Sequence, residues 1–264
     1  MGRGPATPVE VGGEDATEPA MDAGGHRVAY SRSVVVDSLN PLELCEAGCT
    51  PGPPRKLLYS VKLARNPAYS PDGGQIAFES SRSGQREIWL CDRDGSGARQ
   101  LTNLGGQPAG TPNWSPDGKF IVFDARLPAG SAIFAMSGSG TGLRQLTDGS
   151  TEDLVPSWSR DGQRIYFSSK RTGSLQVWSM AADGSGARQI TQQGGFRAVQ
   201  SNRGDVLYYA KGATQTAIWQ VPVGGGEETL VIPSLSYWQN FSVTPGGYLL
   251  RAGVGFREHS HSVL

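Results

Sequence analysis

Three aspartates lie in nearly identical surroundings and are the first residues of the chain that could do chemistry. Each stands between a Ser-Pro or Ser-Arg pair and a glycine; the residues are Asp72, Asp117 and Asp161, followed by Gly73, Gly118 and Gly162. Carboxylates that a fold brings together can hold a divalent cation or share acid and base roles. The same residue types also compose a tight turn, because proline presets φ at its second position and glycine supplies a positive φ.

The turn is the better interpretation of these aspartates. Weaker copies of the segment carry Arg203 and Gly246 at the aspartate's place, so a complete ring of carboxylates cannot form. Segments 92–97 and 181–186 are also turns, since they lack the full oxygen-ligand series of a calcium loop. Segment 137–142 is glycine-rich, but no helix follows it to bind a phosphate. We therefore predict structural turns, with no metal and no cofactor.

Basic residues form a second candidate set, with one member in each of six segments. They are Arg32, Arg82, Arg126, Arg171, Lys211 and Arg251. Around one mouth of a central channel they would form a basic collar for an acidic peptide, a carboxylate or a phosphate, which arginine binds through two parallel hydrogen bonds. Alternatively they pair locally with carboxylates near the same face, namely Glu79, Glu87, Asp124, Glu152 and Asp153.

The chain contains few residues that could act as catalytic groups. The histidines His26, His259 and His261 lie outside the best-defined segments, and no G-x-S-x-G nucleophile elbow occurs. A Ser-His-Asp triad or a histidine-dependent propeller enzyme therefore has little to draw on. We predict that the chain is not an enzyme and has no catalytic residue.

A sequence repeat positions all of these residues. Three copies align closely at steps of 45 and 44 residues, and each has a second aromatic eleven residues after the first and a closing Arg-Gln-Leu/Ile-Thr segment. The close copies are "NPAYSPDGGQIAF", "TPNWSPDGKFIVF" and "VPSWSRDGQRIYF", which end at Phe78, Phe123 and Phe167. Their second aromatics are Trp89, Phe134 and Trp178, and their closing segments are 98–102, 143–147 and 187–191. Weaker copies end at Tyr30, Tyr209 and Leu250.

Each unit is expected to form four short strands joined by glycine-rich turns. Units of this length with four strands are typical of propeller blades, and no unit contains the long amphipathic run of a helical repeat. We predict an all-β fold, a six-bladed β-propeller of four-stranded antiparallel blades, with Trp89, Trp114, Trp158 and Trp178 packed between blades. The expected division is an N-terminal tail over 1–18, the propeller over 19–258 and a C-terminal tail over 259–264. The last blade is either incomplete or closed by residues 7–11 of the N-terminal segment.

Composition narrows the partners that this chain could have. Lys plus Arg and Asp plus Glu both number 24, so no overall field favours nucleic acid or an anionic membrane. The longest aliphatic run, 34–36, is far too short to span a membrane, and the N-terminus lacks the apolar region of a secretory signal. Cys91 is expected to be a small buried residue. Cys45 and Cys49 would pair in an oxidising compartment or stay reduced in a loop.

The repeat residues resemble those of the TolB-like propeller family, whose units carry the signature W-S-P-D-G-x-x-I-A-F. The resemblance covers residues 19 to 250, and three of the six units match it closely. The segments "FESSRSGQREIWLCDRDGSGARQLT", "PSWSRDGQRIYFSSKRTG" and "VPVGGGEETLV" are similar to propellers that follow a winged-helix region in certain bacterial transcriptional regulators. The resemblance implies a six-bladed propeller that serves as a protein-binding or sensing scaffold without catalysis of its own.

These observations predict a binding module with a protein or peptide partner, acidic if the basic collar is used, and a monomer unless the last blade leaves an open edge. Nucleic acid is not an expected partner of the propeller itself. The alternative function is that of an accessory propeller in a peptidase of the prolyl-oligopeptidase type. The sequence as written, in which no secretory signal is recognised, predicts a cytoplasmic compartment, whereas the family resemblance implies a periplasmic one.

Overall fold

The computed structural model describes residues 16–21, 27–33, 37–43, 64–211, 217–233, 241–243 and 249–251. These residues form β-strands and turns and contain no helix, so none of them belongs to a helix that could cross a membrane. The first strands are β1 (Ala16–Met21), β2 (Arg27–Ser33), β3 (Asp37–Glu43), β4 (Ala64–Tyr69), β5 (Gln75–Ser80), β6 (Glu87–Asp92), β7 (Arg99–Gln100), β8 (Ala109–Trp114), β9 (Phe120–Arg126), β10 (Ser131–Ser137) and β11 (Arg144–Gln145). The remaining strands are β12 (Asp153–Trp158), β13 (Arg164–Ser169), β14 (Gln176–Ala181), β15 (Arg188–Gln189), β16 (Phe196–Gln200), β17 (Val206–Ala210), β18 (Ile218–Pro222), β19 (Thr229–Ile232), β20 (Phe241–Val243) and β21 (Leu249–Arg251).

The strands form six antiparallel sheets, which we number as blades 1 to 6 in chain order. Blades 2 to 5 have four strands each, while the described strands number three in blade 1 and two in blade 6. The innermost strands β1, β4, β8, β12, β16 and β20 contact one another in this order, and β20 also contacts β1. The ring is therefore closed, and the prediction of an all-β propeller with four-stranded blades is confirmed. Strand β1 begins three residues before the expected domain boundary, and residues 7–11 lie outside the described part of the chain.

The hydrophobic core lies between blades because each sheet buries both of its faces. In β9, Val122 packs with Ile165 and Phe167 of blade 4, while its neighbour Phe123 packs with Ile88 of blade 2. This alternation follows from the strand geometry, in which successive side chains point to opposite faces. The aromatics that recur eleven residues apart in the repeat are direct cross-strand partners: Phe78 with Trp89, Phe123 with Phe134 and Phe167 with Trp178. The tryptophans pack between blades as expected.

The closing Arg-Gln-Leu/Ile-Thr segments form outer strands that are only two residues long. The threonine ends the pairing, because its hydroxyl accepts the backbone N–H of the third strand, as Thr102 does from Ile88 at 2.9 Å and Thr191 from Val177 at 2.9 Å. Two of the arginines reach the next blade: Arg99 donates to the carbonyl of Ser139 at 3.2 Å, and Arg188 donates to the carbonyls of Gly224 and Val223, each at 3.3 Å. Short outer strands with charged side chains protect the exposed edges of the blades from pairing with other chains.

Cys91 is the free cysteine of the described residues and is 1% exposed in the core between blades 1 and 2. Burial raises the pKa of its thiol to about 12, so the thiol stays protonated at neutral pH and is a poor nucleophile. Cys45 and Cys49 lie outside the described residues, so the choice between a disulfide bridge and two free thiols stays a prediction.

Candidate functional site

The innermost strands surround a central cavity of 360 Å³. Its described lining comes from all six blades, since β1, β4, β8, β12, β16 and β20 each contribute residues. We call this cavity the channel. In β-propellers the axis is the place where every blade contributes to one surface, so a ligand there can be contacted from all sides.

The strands that line the channel share an irregularity at one equivalent position. Asn66, Thr111, Val155 and Arg197 have positive φ angles of 50°, 47°, 52° and 53°, and the pairing of each strand with its neighbour shifts there. Each site is therefore a β-bulge, which disrupts the ladder and turns a side chain in a new direction. Positive φ is costly for a residue other than glycine, particularly for the branched Thr111 and Val155. Such strain persists only where neighbouring groups hold it, and it is frequent at binding sites.

Polar side chains on the second strands hold these bulges in place. Asn66 donates to Glu79 at 2.9 Å, and the hydroxyl of Thr111 donates to Asp124 at 2.7 Å. The contacts also cross between blades, because the backbone N–H of Val155 donates to Asp124 at 2.7 Å, and that of Arg197 donates to the hydroxyl of Ser168 at 3.0 Å. The residue directly after each second-strand aromatic thus supports the channel wall of its own blade, of the next blade, or of both.

The charge of the channel wall comes from two arginines. Arg160 and Arg197 are the charged residues among the described side chains that line the cavity. Arg160 stands where the first two close repeats have proline, and its guanidinium donates to the side chain of Asn202 in blade 5. Its backbone N–H donates to the side-chain oxygen of Gln200 at 2.7 Å. Both residues bring positive charge to the channel wall, and positive charge favours an anionic ligand.

Asp124 is the titratable group most closely linked to the channel bulges. Burial raises its pKa to about 6, and the hydrogen bonds from Val155 and Thr111 and the positive charge of Arg86 only partly oppose this effect. Arg86 itself pairs with Glu79 at 3.3 Å. Between its unfolded and folded pKa values, Asp124 binds more protons in the folded state, so its contribution to stability is present at low pH and is lost as pH rises through about 6.

Replacing Asp124 by asparagine is expected to remove this pH dependence. The shift of about two pKa units corresponds to about 3 kcal/mol, so the stability of the variant relative to the native protein should rise by up to this amount from about pH 4 to pH 7. Chemical denaturation of both proteins over this range measures the difference. A difference in unfolding free energy that stays constant with pH would contradict the raised pKa.

The three predicted turn aspartates lie outside the channel bulges and form the same local structure in each blade. Asp117 accepts the hydroxyl of Ser115 at 2.6 Å and the backbone N–H of Lys119 at 3.1 Å. Asp72 and Asp161 make the matching contacts in blades 2 and 4. The serine hydroxyl, followed by the backbone N–H, holds the pKa of these carboxyl groups below the usual value.

The glycines of these turns take the conformation that the sequence predicts. Gly73, Gly118 and Gly162 have φ angles of 67°, 70° and 70°. Each donates its N–H to the carbonyl of the turn's serine, as Gly118 does to Ser115 at 2.9 Å. In blade 5, where Arg203 replaces the aspartate, Asp205 accepts the hydroxyl of Ser201 at 2.7 Å and so supplies the carboxylate from a different position. In the described part of the chain no three His, Cys, Asp or Glu residues are placed to hold a metal ion.

The cations of the predicted collar lie against aromatic residues of their own blades. Arg82 lies 4.9 Å from the ring centre of Trp89, Arg171 lies 4.7 Å from that of Trp178, and the ammonium of Lys211 lies 3.6 Å from that of Trp219. These distances are typical of cation–π contacts. None of the three belongs to the described lining of the channel.

Two of these cations also have anionic partners. Arg171 donates to Asp153 at 2.8 Å, and Lys211 pairs with Glu228 at 3.1 Å. Burial would raise the pKa of Glu228, but it stays below the usual value because the N–H of Gln192, the hydroxyl of Tyr209 and Lys211 favour the carboxylate. Asp153, one of the carboxylates that the sequence suggested as local partners, therefore does pair with a cation of the predicted collar. Glu228 also pairs with one, although it was not among the suggested partners.

The remaining three members of the collar have different surroundings. Arg126 is exposed. Arg82 and Arg171 each lie four positions after the second-strand aromatic of their blade, and the residue at this position in blade 3 is Leu127. Leu127 packs against the cluster that contains Phe123 and Phe134, so blade 3 has an apolar residue at this place. The backbones of Arg32 and Arg251 lie in β2 and β21, and their side chains are outside the described part. A ligand-binding role for the collar stays a prediction.

Sequence reasoning missed the residues that line the channel. A signal for the bulges was present, since Asn66, Thr111 and Val155 are each followed by proline at the same place in the repeat. Proline inside a strand marks an edge or a bulge, because it cannot donate to the ladder. The sequence shows Arg160 as the residue that replaces the turn proline. Its position beside the channel, however, depends on how the blades close into a ring.

Comparisons with known proteins define the class of this propeller. Residues 107–250 match the family described as the TolB beta propeller domain. This match covers more than half of the chain, and the chain therefore belongs to the TolB β-propeller domain family. A search of curated proteins finds no match to the chain.

Solved structures show where the same fold occurs. A protein of Agrobacterium tumefaciens assigned to TolB superposes with a TM-score of 0.76 at 23% identity, covering 90% of this chain and 89% of the other. TolB from Acinetobacter baumannii gives a TM-score of 0.72 at 22% identity and covers 86% of this chain and 58% of the other. A prolyl endopeptidase structure gives 0.57 at 17% identity, with 89% of this chain and 39% of the other covered. The TolB-like interpretation thus fits better than that of a peptidase accessory domain.

Proposed function

We propose that this propeller is a non-catalytic binding module whose channel takes an acidic segment of a partner protein or peptide. The observation that carries the proposal is that two arginines from neighbouring blades, Arg160 and Arg197, line the same cavity. The cavity of 360 Å³ lies within the range of about 300–1,000 Å³ that is usual for binding pockets. Arginine suits this role because its planar group can bind a carboxylate through two hydrogen bonds.

The rigidity of the channel wall supports binding rather than chemistry. The bulged residues are held by hydrogen bonds from neighbouring strands, so little order has to be imposed when a ligand binds. Three serine hydroxyls of the wall have structural acceptors: Ser115 donates to Asp117, Ser159 to Asp161, and Ser157 to the carbonyl of Ala198 at 2.6 Å. A serine nucleophile would need a base as the partner of its hydroxyl.

Charge reversal in the channel tests this proposal. The double variant Arg160→Glu/Arg197→Glu is expected to bind a fluorescein-labelled glutamate-rich peptide at least about 10-fold more weakly than the native protein, because two favourable charge pairs become repulsive. Fluorescence anisotropy measures the affinity, and thermal unfolding verifies that the variant is folded. Binding by the native protein should also weaken as salt is added.

Arg126→Glu is the matched control, since Arg126 is exposed and lies outside the described lining of the channel. The control should bind the peptide like the native protein. Unchanged affinity in the double variant would contradict the channel as the site. An equal loss in Arg126→Glu would instead favour the basic collar.

A further inference from the structure

A second cavity, of 390 Å³, opens between blades 3 and 4 on the side of the Ser-Pro-Asp-Gly turns. We call it the cleft. Three of its lining residues, Ser115, Pro116 and Trp158, also line the channel, so the cleft continues outward from the channel wall. Arg160 and Arg197 line the channel and are not among the residues that line the cleft.

Phe120 lines the cleft and is not explained by the fold. Its side chain is 40% exposed, although the other phenylalanines of the four-stranded blades are buried in the core. The equivalent residues of blades 2 and 4 are Gln75 and Arg164, as the hydrogen bonds show: each backbone N–H donates to the serine of its own turn, at 2.9 Å for Gln75 and Phe120 and 2.8 Å for Arg164. The blade therefore does not require an aromatic residue here, and exposed aromatics of this kind are frequent at binding surfaces.

The cleft also has an excess of negative charge. Asp117, Asp161 and Asp183 line it together with Arg144. Hydrogen bonds from serine hydroxyls and backbone N–H groups hold the pKa values of all three aspartates below the usual range, so they are ionised at neutral pH. Lys119 lies 3.2 Å from Asp117, while Arg164 and Arg144 lie near enough to Asp161 and Asp183 to favour their ionised forms.

We propose that the cleft is a second binding site, which takes an extended peptide segment carrying an apolar side chain next to a lysine or arginine. The apolar side chain packs against Phe120 and the exposed part of Trp158, and the cation lies beside Asp161 and Asp183. The charge preference is opposite to that of the channel, because carboxylates outnumber cations in the cleft while arginines are the charged groups of the described channel wall. A partner that enters both cavities would carry an acidic stretch followed or preceded by a basic and apolar one.

A random peptide library displayed on phage and selected on the native propeller tests the cleft. The enriched peptides should pair a lysine or arginine with a neighbouring apolar residue, and their affinities are then measured as synthetic peptides by fluorescence anisotropy. Phe120→Gln, which introduces the residue that blade 2 has at the same place, should weaken these peptides about 10-fold and leave thermal stability unchanged. Leu143→Gln is the matched control, because Leu143 is 46% exposed on the same blade and does not line the cleft.

Each outcome of the selection either supports or overturns the proposal. Peptides that lose affinity in Phe120→Gln and keep it in both Leu143→Gln and the Arg160→Glu/Arg197→Glu variant support a separate cleft site. Enriched peptides that depend only on the two arginines overturn the cleft proposal and leave the channel proposal intact. Peptides that are acidic and insensitive to Phe120, or a selection without enrichment, also overturn it.

Discussion

Replacing Arg171 by leucine is expected to lower the free energy of unfolding by about 3–5 kcal/mol. The guanidinium of Arg171 is the ion-pair partner of Asp153, whose side chain is 0% exposed at the start of β12. Without the arginine this carboxylate would be buried without a compensating charge, which costs far more than a surface ion pair contributes. Equilibrium denaturation in urea measures the loss.

Blade 2 supplies the control for this prediction. Arg82 stacks on Phe78 and Trp89 as Arg171 does on Phe167 and Trp178, but Ala64 stands where blade 4 has Asp153. Arg82→Leu should therefore cost only about 1 kcal/mol, the contribution of a partly exposed cation–π contact. Adding Asp153→Asn to Arg171→Leu should recover part of the stability. Equal losses in the Arg82 and Arg171 variants would show that the buried carboxylate does not matter.

Phe123→Ala is expected to lower the free energy of unfolding by about 3–5 kcal/mol. The side chain is 0% exposed and stacks on Phe134, with ring centres 5.6 Å apart, in the core between blades 2 and 3. Its removal leaves a cavity that the surrounding strands cannot fill, because each is fixed by its neighbours in the sheet. Urea denaturation gives the magnitude.

Phe120→Ala in the same strand is the matched comparison. Since Phe120 is 40% exposed, its removal should change stability by no more than about 0.5 kcal/mol. A large loss in Phe120→Ala would mean that the residue is part of the core, which would also weaken the inference that it serves a partner. Similar small effects at both positions would contradict the assignment of the core to the space between blades.

The sequence analysis succeeded where local pattern decides structure. The turns around Asp72, Asp117 and Asp161 close within a few residues, so the residue types alone indicate their geometry. The repeat likewise located the recurring aromatics, which the structure pairs across adjacent strands. Local pattern does not determine where the cations lie, because whether Arg82 reaches a channel or folds back on Trp89 depends on side-chain packing that spacing does not reveal. Blade 3 has Leu127 at the position of Arg82 and Arg171, while Arg126 is the last residue of β9.

By itself the sequence determined the blade: its length, its four strands, its turns and the recurring aromatics that pack between blades. These features depend on contacts between residues close along the chain, and the repeat states them several times over. Only the tertiary structure decided what the channel and the cleft contain. Arg160 and Arg197 belong to different blades and line one cavity because those blades pack side by side, and Phe120 is 40% exposed because the adjacent blade leaves the cleft open beside it.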